Sequence, residues 1–172
     1  MLTYNEEKVL PITLPSAISQ GYPIVCSDNE STDSTRNILD FYSIPWVTAA
    51  HTSDKVKSIS EGRKAVLSLV DTEYVFFLDA DVKLPETAVT QAYCYLLENP
   101  KVGCVCVAYS DWHVKIGASI LRTEHAKSYD WLPINDCECK FMAKHLASMG
   151  LDMVNLPGMV SEHWKKGEKL WG

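Results

Sequence analysis

The chain has 172 residues, 47% of them apolar and 22% charged, which is enough for one domain with a substantial core and too short for two. Acidic residues outnumber basic ones by 22 to 16, for a formal net charge of −6, and this excludes the nonspecific nucleic-acid binding that depends on a basic surface. No apolar run approaches the ~18 residues of a membrane span, and the start of the chain lacks the basic and apolar regions of a signal peptide. We therefore expect an intracellular, cytoplasmic domain.

Short apolar runs rich in β-branched and aromatic residues alternate with longer helical patterns along the chain. The candidate strands are 1–4, 23–27, 46–50, 74–78, 102–108 and 153–156. The candidate helices are 6–20, 31–42, 61–70, 85–97 and 136–149. Asn5 would cap the first helix and Gly150 would terminate the last, while Pro11 and Pro15 should kink or divide the first. This alternation predicts an α/β fold with a mainly parallel sheet and right-handed crossovers.

The strand predicted at 74–78 ends directly in Asp79-Ala80-Asp81. Open α/β sheets bind ligands at the carboxyl ends of their strands. Two carboxylates placed there are typical of a divalent cation held together with phosphate oxygens of a substrate. The alternative interpretation is that both aspartates only cap the next helix.

Two other predicted strands end in polar clusters, at Thr3-Tyr4-Asn5-Glu6 and around Asp28. The carboxyl ends of parallel strands lie along one edge of a sheet, so these clusters should converge with the aspartates into a nucleotide site. Tyr4 would stack on a base, and Asp28 would accept hydrogen bonds from a base or ribose. Each cluster, taken alone, is also compatible with a helix cap or a polar turn.

Four of the six cysteines form two Cys-x-Cys pairs, Cys104/Cys106 and Cys137/Cys139. Structural zinc sites use Cys-x2-4-Cys spacing, and two cysteines one residue apart in a strand simply share a face. We interpret the cysteines as buried thiols that pack as small apolar groups. A structural zinc site or a disulfide is left open as an alternative.

The clusters, in this order, resemble family 2 glycosyltransferases of the GT-A fold from about Leu2 to His163. The motifs P-x-Y-N-E and D-D-G-S-T-D-G-T are similar to residues 3–6 and 28–35, although Asn29 and Glu30 depart from the second motif. Further similarities lie at Ser16 to Gln20, Arg63 to Val66, Thr72 to Tyr74, Asn135-Asp136, Gly150, Pro157 and His163.

The resemblance implies a single GT-A domain over 1–172, a Rossmann-like α/β/α sandwich with a mainly parallel central sheet. Residues 1–110 would form the nucleotide-sugar-binding half, and 111–172 the acceptor and catalytic half. The implied activity is metal-dependent, inverting transfer of a sugar from a nucleoside-diphosphate sugar, UDP being the first expectation. The acceptor would be a hydroxyl on a glycan, a protein or a lipid-linked molecule.

The resemblance also implies roles for individual side chains. The donor would be bound by Thr3, Tyr4, Glu6, Asp28, Arg63, Asp79 and Ala80. Mn2+ or Mg2+ would be held by Asp79, Asp81 and His163, and Asp136 would be the catalytic base. Taken without the resemblance, Asp136 is equally compatible with a helix cap, and His163 with an ordinary surface or core histidine.

Three other functions remain compatible with the residues alone. A haloacid-dehalogenase-like phosphatase also has an apolar strand followed by D-x-D-x-V, and a nucleotidyltransferase also pairs carboxylates around a metal. A binding module without turnover is favoured by the short chain and by Glu30 in place of a motif glycine. Residues 162–171 mix lysines with tryptophans, which allows a peripheral membrane contact or a lid over phosphate.

Overall fold

The computed structural model describes residues 1–108, 114–132 and 137–171. The strands in these residues are β1 (Leu2–Thr3), β2 (Cys26–Asp28), β3 (Trp46–Thr48), β4 (Tyr74–Leu78), β5 (Val82–Lys83), β6 (Val102–Ala108), β7 (Ala118–Arg122), β8 (Asp152–Val160), β9 (Glu162–Lys165) and β10 (Glu168–Trp171). The helices are α1 (Leu10–Ile18), α2 (Thr35–Phe41), α3 (Lys55–Leu67), α4 (Ala88–Glu98), α5 (Thr123–Ser128) and α6 (Glu138–Ser148). Each predicted strand and helix overlaps one of these elements.

The central sheet has the strand order β3-β2-β1-β4-β7-β6-β8. Parallel pairing joins β3, β2 and β1, and a parallel bridge between Leu2 and Asp79 connects β1 to the end of β4. Strand β7 runs antiparallel to both β4 and β6, and β8 runs parallel to β6. Every central strand except β7 therefore points the same way, which confirms the predicted mainly parallel sheet.

Two core clusters cover the two faces of this sheet, as expected for an α/β/α sandwich. One contains apolar side chains of α1, α2 and α4, including Leu14 and Leu39. The other contains side chains of α3, α5 and α6, including Val66 and Met142. Successive residues of a strand point to opposite faces, and β6 accordingly contributes Val105 to the first cluster and Cys104 to the second.

The cysteines behave as packing residues. Cys104, Cys106 and Cys139 are buried in the second cluster, and all six cysteines are free thiols. In the described part of the chain, no group of three or more His, Cys, Asp or Glu side chains is arranged to hold a metal ion. The zinc and disulfide alternatives therefore have no structural support.

Helix α1 begins later than the sequence predicts. It starts at Leu10 after Val9, so the prediction of Asn5 as N-cap is wrong. Asn5 instead adopts a positive φ of 53° and accepts a hydrogen bond from the Thr32 backbone N–H at 2.9 Å. Proline in the first helical turn removes an N–H that would have no partner there, and the helix continues unbroken past Pro15.

The ends of α3 and α6 are fixed by specific caps. Helix α3 begins six residues before its predicted start because Asp54 Oδ1 accepts hydrogen bonds from Val56 N at 2.9 Å and Lys57 N at 3.2 Å. Helix α6 ends at Ser148, and Gly150, with a φ of +74°, follows two positions later and donates its N–H to the Ala147 carbonyl at 3.0 Å. The predicted role of Gly150 is therefore confirmed.

Several elements were not predicted, above all β7, α5 and the hairpin of β9 and β10. Strand β7 follows Gly117 and contains Ser119, so its apolar pattern is interrupted, although the strand is almost fully buried. The tail expected at 162–171 is folded: β9 pairs with β5 and β10 pairs with β9. No helix in the described residues is long and apolar enough to cross a membrane.

Candidate active site at the carboxyl ends of the strands

Asp79 and Asp81 lie at the carboxyl end of β4, with side chains 34% and 31% exposed. The Asp79 backbone N–H donates to the Gly117 carbonyl at 2.7 Å, which extends the β4–β7 pairing beyond the strand. Neither aspartate caps the following helix, because α4 begins only at Ala88 with Thr87 at its N-cap. The two aspartates therefore do not serve as caps of that helix.

Asp81 contacts His163 through the pairing of β5 with β9. Val82 stands opposite His163 in that pairing, and the Trp164 backbone N–H donates to the Asp81 carbonyl at 2.8 Å. The His163 Nε2 atom consequently lies 3.0 Å from Asp81 Oδ2. A carboxylate and an imidazole are a donor set that suits Mn2+, which accepts nitrogen more readily than Mg2+ does.

Arg63 joins Asp79 to a second carboxylate, that of Glu138. A single guanidinium nitrogen, Nη2, donates to Asp79 Oδ1 and to Glu138 Oε1, each at 2.8 Å. The arginine side chain is only 1% exposed, and its guanidinium lies 5.1 Å from the centre of the Phe77 ring. Burial lowers the pKa of Arg63, but the Glu138 and Asp79 carboxylates outweigh it, so the net pKa lies above its ordinary value. Arg63 therefore stays charged.

Glu6 adds another acidic group beside the aspartates. Burial, followed by the nearby charges of Asp81, Asp33 and Asp79, raises the pKa of Glu6 to about 7. Its backbone N–H donates to Thr35 Oγ1 at 2.7 Å, which holds the loop after β1 against the start of α2. The site thus has a concentration of negative charge that a bound cation would relieve.

Tyr4 projects from the end of β1 and is 41% exposed. Its ring stacks on His51, with 4.0 Å between the ring centres and 11° between the planes. That spacing leaves no room for a third ring between them, so a base would stack on the outer face of Tyr4 or displace His51. The His51 backbone N–H donates to Glu30 Oε2 at 3.3 Å.

Asp28 is completely buried at the end of β2. Its Oδ1 accepts from the hydroxyls of Thr3, at 3.2 Å, and Ser31. Its Oδ2 accepts from the Ser31 backbone N–H at 3.0 Å and from Arg36 Nε at 2.6 Å. A carboxylate offers about four acceptor positions, so a base could bind Asp28 only by replacing one of these donors.

The two departures from the family motif have structural explanations. Asn29 Nδ2 donates to the carbonyls of Ala50 at 3.2 Å and Ser58 at 2.8 Å, which an aspartate could not do. Glu30 adopts the left-handed conformation, with φ of 58°, that a glycine would take more easily. The backbone at position 30 therefore keeps the conformation that suits a glycine, although the residue there is a glutamate.

The remaining predicted residues are placed as follows. Thr3 is buried against Asp28, and Ala80 is 5% exposed with its carbonyl accepting from Thr13 Oγ1 at 2.6 Å. Asp136 lies outside the described residues. Glu138 and His51 were missed: Glu138 stands two positions after Asp136, which could have drawn attention to it, whereas nothing in the sequence pairs His51 with Tyr4.

A cavity of about 390 Å³ borders Asp79 and Glu138 between the starts of α3 and α6. Its other walls include Lys115, Gly117, Tyr129 and Cys137. A second, apolar cavity of about 520 Å³ lies against Tyr74 and neighbouring residues at the opposite end of β4. Of the two, the smaller cavity is the one that borders acidic side chains of the candidate site, although Asp81 and His163 are not part of its wall.

Gly117 determines where the Asp79 carboxylate can lie, because a Cβ on Gly117 would come within 2.0 Å of Asp79 Oδ2. Gly117→Ala should displace that carboxylate from Arg63 and lower the free energy of unfolding by about 1–3 kcal/mol, measured by urea denaturation. In an Asp79→Ala background there is no carboxylate for the new methyl group to displace. Gly117→Ala should therefore cost less stability in that background than in the wild type.

Gly103→Ala is the matched control, since Gly103 lies on β6 and its Cβ would meet Leu146 and Leu151 at 2.9 Å. Gly103→Ala should lower the free energy of unfolding by the same amount whether residue 79 is Asp or Ala. The crowding explanation is wrong if Gly117→Ala also costs the same in both backgrounds.

Glu6 should make stability depend on pH. Its pKa rises from 4.5 to about 7 on folding, so its contribution is most favourable below pH 4.5 and is lost as the pH rises towards 7. Without metal, Glu6→Gln should therefore lose less stability than the wild type between pH 4.5 and pH 7, measured by urea denaturation across that range. Identical pH profiles would show that Glu6 is not held in this acidic environment.

The chain was compared with protein families and with curated proteins. Residues 1–142 match the model of glycosyl transferase family 2. The chain is 29% identical over 103 residues to a poly(ribitol-phosphate) beta-glucosyltransferase of Bacillus spizizenii. That match covers 56% of this chain and 16% of the relative.

Solved structures match over nearly the whole chain. The mannosyltransferase PcManGT of Pyrobaculum calidifontis, solved with GDP-Man and Mn2+, has a TM-score of 0.77 at 20% identity, covering 93% of this chain and 54% of that one. TarS 1-349 of S. aureus, solved with UDP-GlcNAc, has a TM-score of 0.69 at 18% identity, covering 93% and 55%. At these identities the likeness establishes the fold, and the chain spans about half the length of both structures. The fold is thus that of the GT-A glycosyltransferases, and the family model covers most of the sequence, so the chain belongs to glycosyl transferase family 2.

Proposed function

We propose that this domain transfers a hexosyl group from a nucleoside-diphosphate sugar to a hydroxyl acceptor, with inversion and with Mn2+ or Mg2+. The observation that carries the proposal is the Asp81–His163 contact of 3.0 Å beside Asp79 at the carboxyl end of β4. Family membership and two fold relatives solved with sugar nucleotides, one of them with Mn2+, support it. The phosphatase and nucleotidyltransferase alternatives lack such support.

The metal would be held by Asp81 and His163, with Asp79 as a further ligand or as a partner of the ribose. When bound, the cation supplies neutralising charge for the diphosphate leaving group. The acidic groups around Glu6 favour binding of a cation, and the imidazole favours Mn2+ over Mg2+. Asp81 and His163 already lie within hydrogen-bond distance, whereas Asp79 would have to move to join them, since the described residues contain no preformed group of three such ligands.

The donor base would lie at the ends of β1 and β2. Tyr4 would contribute its exposed ring, and Thr3, Asp28 and Ala80 would shape the surrounding backbone and polar wall. Asp28 would reach the base only by exchanging a bond to Arg36 or Ser31. We propose a UDP sugar as the donor and a GDP sugar as the alternative, because the two fold relatives contain one of each.

Asp136 would serve as the general base. An acceptor hydroxyl is a weak nucleophile near neutral pH, so a carboxylate must take its proton as it attacks the anomeric carbon. Attack from the face opposite the leaving group forms the new glycosidic bond as the bond to the diphosphate breaks, and the anomeric configuration inverts. The proton passes from the acceptor hydroxyl to the carboxylate.

The acceptor would be a hydroxyl of a glycan, a protein or a lipid-linked molecule, and the smaller cavity is where we expect it to approach. The curated relative is named as a glucosyltransferase acting on poly(ribitol phosphate), so a polyol phosphate polymer is a reasonable first acceptor to test. Peripheral membrane contact would involve the β9–β10 hairpin, where Lys165 and Lys166 are exposed.

Asp81→Ala should abolish Mn2+-dependent binding of UDP and GDP while leaving the fold intact. The carboxylate is a direct part of the proposed metal site, and its removal leaves only one of the paired donors. Isothermal titration calorimetry with and without Mn2+ measures the loss, and circular dichroism checks the fold. Asp71→Ala is the matched control, because Asp71 is an exposed aspartate at the opposite end of β4. Unchanged Mn2+-dependent affinity in Asp81→Ala would refute the metal site.

Asp136→Asn should keep donor affinity but reduce transfer by about 10²–10⁴-fold, because only the proton acceptor is lost. Transfer to a hydroxyl acceptor and hydrolysis of the sugar nucleotide should be followed separately. Full transfer activity in this variant would reject Asp136 as the base. A wild-type protein that binds sugar nucleotides without transferring or hydrolysing them would instead be the binding module.

A further inference from the structure

We infer that Glu138 is a positioning residue that fixes Asp79 through Arg63 and thereby couples the start of α6 to the end of β4. The inference rests on the proposed function only where it concerns nucleotide binding. Arg63 Nη2 holds both carboxylates, Asp79 Oδ1 and Glu138 Oε1, at 2.8 Å. The three residues come from α3, β4 and α6, and Glu138 is 75 residues away from Arg63 in sequence.

Burial makes this contact different from a surface ion pair. Arg63 is 1% exposed and lies over the Phe77 ring, so solvent screens the interaction very little on that side. A buried cation that loses one of its partners leaves an imbalance costing several kcal/mol, whereas exposed pairs contribute almost nothing. Both carboxylates must therefore keep their positions around the guanidinium.

The exposed sides of the two carboxylates border the same cavity. Asp79 and Glu138 are 34% and 29% exposed, and both contribute to the wall of the smaller cavity. Arg63 is absent from that wall and donates to them from behind. From this position the Arg63 guanidinium orients Asp79 towards a ligand. Arg63 itself is too deeply buried to bind the diphosphate. This role differs from the donor-binding role that the family resemblance implied for Arg63.

Glu138 shares the charge of Arg63 with Asp79. Without the Glu138 carboxylate, the full attraction of the guanidinium would fall on Asp79 and draw it away from a bound nucleotide. The first turn of α6 would lose a side-chain link to α3. The same link holds the first turn of α6 against the end of β4.

The test is a double-substitution cycle on Mn2+-dependent UDP affinity, measured by calorimetry. Glu138→Gln keeps the size of the side chain and removes its charge, and it should weaken UDP binding about 5- to 20-fold. The effect should disappear in an Asp79→Asn background, because Glu138 acts through Asp79. A purely structural role would lower thermal stability without this dependence on residue 79.

Glu124→Gln is the matched control, since Glu124 also lies in the first turn of a helix but is 75% exposed and away from Arg63. It should leave UDP affinity within twofold. The inference is overturned if Glu138→Gln keeps its UDP affinity within twofold of the wild type. It is also overturned if Glu138→Gln weakens UDP binding equally with Asp or Asn at position 79.

A second cycle measures the free energy of unfolding of the same variants without ligand. Non-additive losses for Glu138→Gln and Asp79→Asn are expected, because both act on one buried guanidinium, and additive losses would overturn the coupling. If the wild type binds no nucleoside diphosphate, the proposed function fails. The unfolding measurements alone would then decide whether Glu138 is coupled to Asp79 through Arg63.

Discussion

The need to compensate one buried guanidinium constrains the end of the sheet where the candidate site lies. Arg63 is almost fully enclosed, and an unpaired charge in such a place costs several kcal/mol. Asp79 and Glu138 provide the compensating charge from two separate elements. Helix α3, the end of β4 and the start of α6 are therefore held in a fixed relation by electrostatics, in addition to the apolar packing around Phe77.

The same constraint explains two of the glycines. Helix α3 must approach β1 and the loop after β2 closely to deliver Arg63, and a Cβ on the preceding Gly62 would lie 2.8 Å from Asn29 Oδ1. On the other side of the ion pair, Gly117 leaves the space that the Asp79 carboxylate occupies. Neither glycine is needed for a positive φ. Both are needed because a methyl group would displace a polar side chain of the site.

The sequence was most informative where chemistry and strand pattern coincide. The apolar run before Asp79 and the polar ends of β1 and β2 predicted the convergence that the structure contains. Contacts that depend on distant residues were not predictable, and Glu138 is the clearest case because its partner Arg63 lies 75 positions earlier. Local rules also failed where tertiary contacts prevailed: Asn5 was expected to cap a helix, and instead its side chain accepts from the Thr32 backbone.

The hairpin of β9 and β10 has a consequence for the order in which the site forms. Asp81 and His163 are separated by 82 residues in the sequence. Closing so long a loop costs entropy that is recovered only after the sheet between them has formed. On the ribosome, the carboxylates would emerge well before the imidazole, so the nascent domain would fold with its acidic end still lacking that partner. The contact between Asp81 and His163 would then form late in the folding of this domain.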